Sequence, residues 1–191
     1  MEDEVAAGLV LDAAEELFYG RGIQAVGMDA VRARSGVSLK RLYRLFASKD
    51  DLVEAYLTRR DERWHGRLRE HVSAAGEPVA RVLAVFDWLA IWFAEPDFRG
   101  CAFINSYGEL GTTSERIAAI SRAHKGRFHA YVESLAADAG LSAEVAAQLV
   151  LLAEGAMVVA GMETGAAPGT APAADARRAA ETLLRPGAWP S

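Results

Sequence analysis

The chain is poor in the residues and patterns on which several broad classes of function depend. It has one cysteine, Cys101, in 191 residues. That excludes an intramolecular disulfide framework and suits a reducing compartment. Its longest apolar stretch, Val145 to Met162, is interrupted by Gln148 and Glu154 and is rich in Ala and Gly. A membrane span needs about 20 predominantly apolar residues, so this stretch reads as a buried helix and no membrane partner is expected. The opening Met1-Glu2-Asp3-Glu4 is acidic and lacks the basic n-region of a secretory signal, so the expected setting is cytoplasmic.

Chemistry-bearing clusters are also missing. No His/Cys/carboxylate group has metal-ligand spacing: His124 and His129 lie five apart, on different faces of a helix. No Gly-rich phosphate loop follows a strand. Neither a metal nor a cofactor is expected. An enzymatic reading would pair Cys101 as nucleophile with His124 or His129 as base, but nothing in the spacing brings them together. A lone cysteine is commonly just buried, so the chain is not expected to be an enzyme. Oxidation of Cys101 would be the handle for a redox-controlled alternative.

What the chain does have is helical periodicity throughout. Half of the residues are hydrophobic and a quarter charged, a globular composition. Over 5–20, Val10, Ala14, Leu17 and Phe18 recur on one face of a 3.6-residue period, and Gly20 and Gly22 supply a stop. Short helices fit Met28–Ser35 and Leu39–Phe46, separated by Gly36-Val37-Ser38 with Ser38 as N-cap. A fourth begins after Ser48, carries Asp50 and Asp51 in its first turn, and runs through Trp64 to about Val72. After Gly76-Glu77-Pro78, one face is traced by Val79, Val82, Phe86, Leu89 and Phe93, and a neighbouring one by Val85, Trp88 and Trp92, as far as Pro96. So wide an apolar stripe implies burial on two sides. Further helices fit 98–110, 114–138, 142–164 and 174–185, with Gly165 to Thr170 and Pro172 as a linker. There is no alternating strand pattern and no internal repeat. The expected fold is all-α, about nine helices, with an N-terminal domain over 1–49 and a helical bundle over 50–191. The seam lies near 47–50 or further along the fourth helix.

Charge singles out the first segment. Between Arg21 and Lys49 there are seven basic residues against Asp29 alone, so this stretch carries +6 in a chain of net −5 and the remainder carries −11. A basic segment in an acidic protein suits phosphate; a solvated helical face would show the same pattern. Two short helices joined by a turn containing Gly form the helix-turn-helix signature. Gly36 permits the turn, Val31, Val37, Leu42 and Leu45 pack the pair, and the second helix enters the major groove. Its Lys40, Arg41 and Arg44 suit phosphate or guanine O6/N7.

The run Val10-Leu11-Asp12-Ala13-Ala14, then Leu17-Phe18, Arg21-Gly22, Ser35-Gly36-Val37-Ser38, Leu42-Tyr43, Phe46 and Ser48-Lys49 resembles the TetR/AcrR family in order and spacing, over about residues 8–57. The resemblance implies that Ser38, Lys40, Arg41, Tyr43 and Lys49 approach double-stranded DNA, with Lys40 and Arg41 in the groove and Tyr43 and Lys49 on phosphate; Tyr43 would otherwise be a packing ring. Three features depart from the family. Val26-Gly27 stands where Ser or Thr is usual, leaving Gly27 as N-cap. Arg32 replaces a small residue and must turn outward, and Glu2-Asp3-Glu4 is ill suited to a minor-groove arm.

The resemblance also implies a homodimer formed through the last two long helices, where Gly155, Ala156, Ala160, Gly161, Ala176, Ala179, Ala180 and Leu183 permit close approach. In the second half, aromatic residues are interleaved with polar ones. Trp88, Trp92, Phe103, Tyr107, His124, Phe128 and Glu154 are the candidate contacts of a small, partly apolar effector. Glu154, a lone carboxylate in an apolar run, must pair, stay neutral or face a cavity. The expected function is that of a ligand-released repressor that binds a pseudo-palindromic operator as a homodimer.

Overall fold

The computed structural model describes residues 2–163 and 170–185. Among them there are nine helices and no strand: α1 (Asp3–Arg21), α2 (Met28–Ser35), α3 (Leu39–Leu45), α4 (Lys49–Ser73), α5 (Pro78–Phe93), α6 (Ala102–Leu110), α7 (Glu115–Asp138), α8 (Ala143–Met162) and α9 (Thr170–Leu183). They form two compact units. The first comprises the described residues up to Glu62 together with Ala102–His124; the second comprises Arg63–Cys101 and the described residues from Lys125 onward.

In the first unit the predicted periodicity becomes a core. Val10, Ala14, Leu17 and Phe18 of α1 are buried with Ala6 and Ala13, and α1 packs on both α2 and α3. Val31, Val37 and Leu42 close the interior between the short helices. Burying a side chain of this kind contributes about 1.5–3 kcal/mol, which helices of eight and seven residues need because they are far too short to persist alone. Leu52, Val53, Tyr56 and Leu57 extend this core along α4, with Phe18 and Tyr56 edge to face at 5.9 Å. Polar ties join α1 to α4 at the margin: Arg59 donates to Asp12 at 2.8 Å, Arg60 to Glu15 at 2.7 Å, and the Arg60 guanidinium lies 3.9 Å over the Tyr19 ring. Deeper in the unit, the buried His124 ring stacks on Phe103 at 3.6 Å and meets the Asp61 carboxylate through Nδ1 at 2.6 Å.

The second unit is organised by aromatic rings and small residues. Trp64 packs edge-on against Trp88, Trp92 and Phe128, with centroids 4.7, 5.6 and 5.5 Å away. Trp88 and Trp92, one helical turn apart on α5, stack at 5.5 Å. Helix α9 lies on α5 and α8 through Pro172, Ala173, Ala176 and Ala180.

Two expected boundaries move. The segment assigned to 98–110 becomes helical only at Ala102, because Gly100 takes a left-handed φ of 84° that a helix cannot contain. Helix α9 starts at Thr170, so Pro172 belongs to its first turn and is buried, not to a linker. Proline is tolerated there because N–H groups of the first turn have no intrahelical acceptor. Gly165 and the rest of the expected linker up to Gly169 lie outside the described residues.

Candidate nucleic-acid interface

The geometry of the site begins at Gly36. This residue closes α2 with φ 70° and ψ 5°, and its N–H donates to the Arg32 carbonyl at 3.1 Å. The left-handed backbone reverses the chain within three residues. Ser38 then caps α3, its hydroxyl oxygen accepting from the Arg41 N–H at 3.4 Å. The cap leaves the hydroxyl proton of Ser38 available to an anion. With Leu42 anchored inward, Lys40, Tyr43 and Arg44 are exposed and Arg41 is half-buried; Tyr43 is 46% exposed, its ring outside the core. Ser38, Lys40, Arg41 and Arg44 line an open concavity of about 510 Å³. Thus four of the six predicted DNA contacts share one surface, and a fifth, Tyr43, is exposed on the same short helix.

Lys49 is the first residue of α4 and is half-buried. Ser48 precedes it and organises the helix start: its hydroxyl accepts from the Asp51 N–H at 3.1 Å and donates to the Asp51 carboxylate at 2.7 Å. That bond, with the Arg116 guanidinium at 3.0 Å, holds the Asp51 carboxyl below its ordinary pKa. The departures noted in the sequence resolve simply. Gly27 is the N-cap of α2 in extended conformation, and Arg32 turns outward, its guanidinium 3.5 Å from Asp29.

The partners of three charged residues in this unit, Asp3, Glu109 and Arg116, are not legible in the sequence. Asp3, in the first turn of α1, accepts from Arg41 Nε at 3.1 Å, from an Arg41 terminal nitrogen at 2.6 Å and from Arg44 at 2.6 Å, all on one carboxylate oxygen. The Arg41 hydrogen bond holds its carboxyl below the ordinary value, with Arg44 adding to the effect. Glu109 of α6 accepts from the backbone N–H groups of Ile23 at 3.1 Å and Gln24 at 2.8 Å, tying α6 to the turn after α1. Arg116 of α7 binds both Asp51 and Glu54. These pairs span 38 to 86 positions in the chain, and no local pattern announces them; only the oddity of an acidic leader before a basic segment hints at the first.

The predicted effector residues divide between the units. In the first, Phe103 and His124 are buried and stacked on each other, while Tyr107 is exposed. In the second, Trp88, Trp92 and Phe128 are buried within the aromatic cluster around Trp64. Glu154 pairs across helices, with Lys125 at 2.7 Å and His129 at 3.0 Å. A cavity of about 310 Å³ in the first unit is lined by other residues, among them Phe18, Tyr56, Asn105 and Glu109.

The small residues expected at a homodimer interface are divided. Ala156, Ala160, Ala176 and Ala180 are buried inside the protomer, and a side chain at Gly161 would meet the Gly100 backbone at 2.9 Å. These positions serve packing within the second unit. Beyond its first turn, α8 leaves exposed a row of Ala147, Leu151, Gly155, Val158, Val159 and Met162, spaced by three or four residues apart from the adjacent valines; Leu151 is 70% and Met162 76% exposed.

Residues 10–56 match the sequence profile of bacterial regulatory proteins, tetR family. An uncharacterised HTH-type transcriptional regulator of Mycobacterium tuberculosis, Rv1255c, is 32% identical over 132 residues, 63% of this chain and 61% of that protein. The HTH-type transcriptional activator FasR of Mycolicibacterium smegmatis is 32% identical over 151 residues, covering 75% of this chain and 65% of FasR. The chain thus spans less than two thirds of the length of these relatives. Among solved structures, SCO4454 from Streptomyces coelicolor, a TetR-family transcriptional regulator, superposes with a TM-score of 0.85 at 27% identity, over 95% of each chain.

Proposed function

We propose, from the match of residues 10–56 to the tetR-family profile and the likeness to SCO4454, that this chain is a DNA-binding transcriptional regulator of the TetR family that reads a pseudo-palindromic operator as a homodimer and is released by a small effector. The observation that carries the reading is the cationic surface of α3: a seven-residue helix presenting Lys40, Arg41 and Arg44 beside the capping hydroxyl of Ser38. Guanidinium and ammonium groups spaced along one short helix suit phosphate oxygens and guanine edges in the major groove. Tyr43 and Lys49 would add phosphate contacts, Lys49 with the help of the α4 N-terminus.

The homodimer is supported by the exposed apolar row of α8. A soluble monomer rarely leaves such a row open, and Gly155 at its centre allows close approach of a second copy. Two-fold symmetry would then set two recognition helices against two half-sites. Effector release is supported by the mixed apolar and polar lining of the cavity beside α6, where Phe18, Ile23 and Tyr56 face Asn105, Ser106 and Glu109. The sign of regulation is proposed as repression; because one relative is named an activator, a reporter carrying the operator must read it directly.

The test is the double substitution Lys40→Ala and Arg41→Ala. Operator affinity measured by fluorescence anisotropy is expected to fall roughly tenfold or more, with helical circular dichroism and sedimentation unchanged. Unaltered affinity would remove α3 from the interface.

A further inference from the structure

The acidic leader and the recognition helix meet in a way that DNA binding must reckon with. Asp3 stands in the first turn of α1, where the positive end of the helix dipole favours a carboxylate. It is held in place by a helix whose inner face is buried, so it is a fixed group and not a loose tail. One of its oxygens takes three N–H groups, two from Arg41 and one from Arg44. Among the described residues Lys40 makes no such pair.

We propose that Asp3 is a built-in competitor of the DNA phosphate, occupying the guanidinium groups of Arg41 and Arg44 in the free protein and so lowering its affinity for DNA. The proposal rests on the DNA-binding reading of α3. Its chemistry is that carboxylate and phosphate oxygens make the same directional, charge-assisted hydrogen bonds to guanidinium, and one N–H cannot serve both at full strength. The position of the acid favours competition over support. The Asp3 side chain is 58% exposed against 21% for Arg41 and 62% for Arg44, so the carboxylate stands on the solvent side of the Arg41 guanidinium, where a phosphate would arrive, and meets Arg44 at the open surface. An acid that merely braced the arginine for DNA would lie beneath it. Glu2 and Glu4 flank Asp3 in sequence and are exposed, so their charge opposes a polyanion at the same end of α1. Being intramolecular, the competition does not dilute away.

The experiment compares the wild-type chain with Asp3→Asn, and with Asp3→Ser as a second replacement that keeps a good helix start. The probes are a duplex selected by the wild-type protein from a random pool, and an unselected duplex of equal length. Both variants are expected to bind the two duplexes about threefold to tenfold more tightly, the scale of one or two exposed ion pairs. The slope of log K against log salt should steepen by up to about 0.9 for each additional phosphate that a released arginine neutralises. The tighter binding should vanish when Arg41 and Arg44 are both replaced by Ala, and persist when Lys40 alone is. Unchanged or weaker binding by both variants, with wild-type affinity intact, overturns the competition and leaves the DNA-binding reading standing. Binding by none of the proteins overturns both.

Discussion

Gly36, Ser38 and Leu42 show how few residues decide the orientation of the cationic helix. Gly36 has open space around it, so a methyl group would meet nothing; only its left-handed backbone resists replacement. Gly36→Ala should therefore cost about 1 kcal/mol of stability through the backbone alone, read as a lower midpoint in urea with unchanged slope. A much larger loss with a changed slope would contradict a purely backbone role. Carboxylates in the same unit add a dependence on pH. Glu16 is lowered by its hydrogen bonds from Arg34 at 2.8 and 2.9 Å, and Asp51 by Ser48 first and Arg116 second. A carboxyl depressed in the folded state stabilises above its unfolded pKa and loses that contribution as pH falls through the folded value. Thermal midpoints should hold from neutrality to about pH 5 and fall below about pH 4, and less steeply in Glu16→Gln/Asp51→Asn. An identical acid slope in that variant would contradict these assignments.

At the scale of elements, the sequence is most legible where local signals agree. Helix α2 runs over the expected Met28–Ser35 because Gly27 and Gly36 punctuate it on both sides, and α4 begins where Ser48 and Asp51 cap it. Legibility fails where a local signal has two meanings. Pro172 has the look of a linker residue but sits in a helical first turn. The small residues of α8 and α9 suggest an intermolecular seam, yet Ala156, Ala160, Ala176 and Ala180 pack within the protomer, since close helix approach has the same signature in either setting. The exposed row on α8 emerges only once burial separates the two faces. Placing a charge in it, Leu151→Arg, should shift the protein from dimer to monomer in sedimentation equilibrium and weaken operator binding by roughly tenfold or more. A dimer of undiminished stability would move the interface elsewhere.

For the whole chain, the decisive feature is the distribution of charge and not its total. The net charge of −5 opposes association with a polyanion, while the +6 between Arg21 and Lys49 permits it locally; the fold concentrates Lys40, Arg41 and Arg44 around one concavity. The pairings that temper that surface, Asp3 with Arg41 and Arg44 above all, join residues distant in sequence and lie beyond any reading of local spacing. The contacts of a proposed effector are hardest to anticipate for a related reason. Buried aromatic residues such as Trp88 and Trp92 carry the same pattern whether they fill a core or line a cavity, and here they interlock.

The most direct test of DNA recognition by this chain is selection of bound sequences from a random duplex library, followed by titration of the recovered site against salt. The expected result is enrichment of a pseudo-palindrome whose log K falls linearly with log salt, with a slope of about −0.9 per phosphate contact. Failure to enrich any sequence, from a protein shown to be folded and dimeric, would contradict recognition through α3.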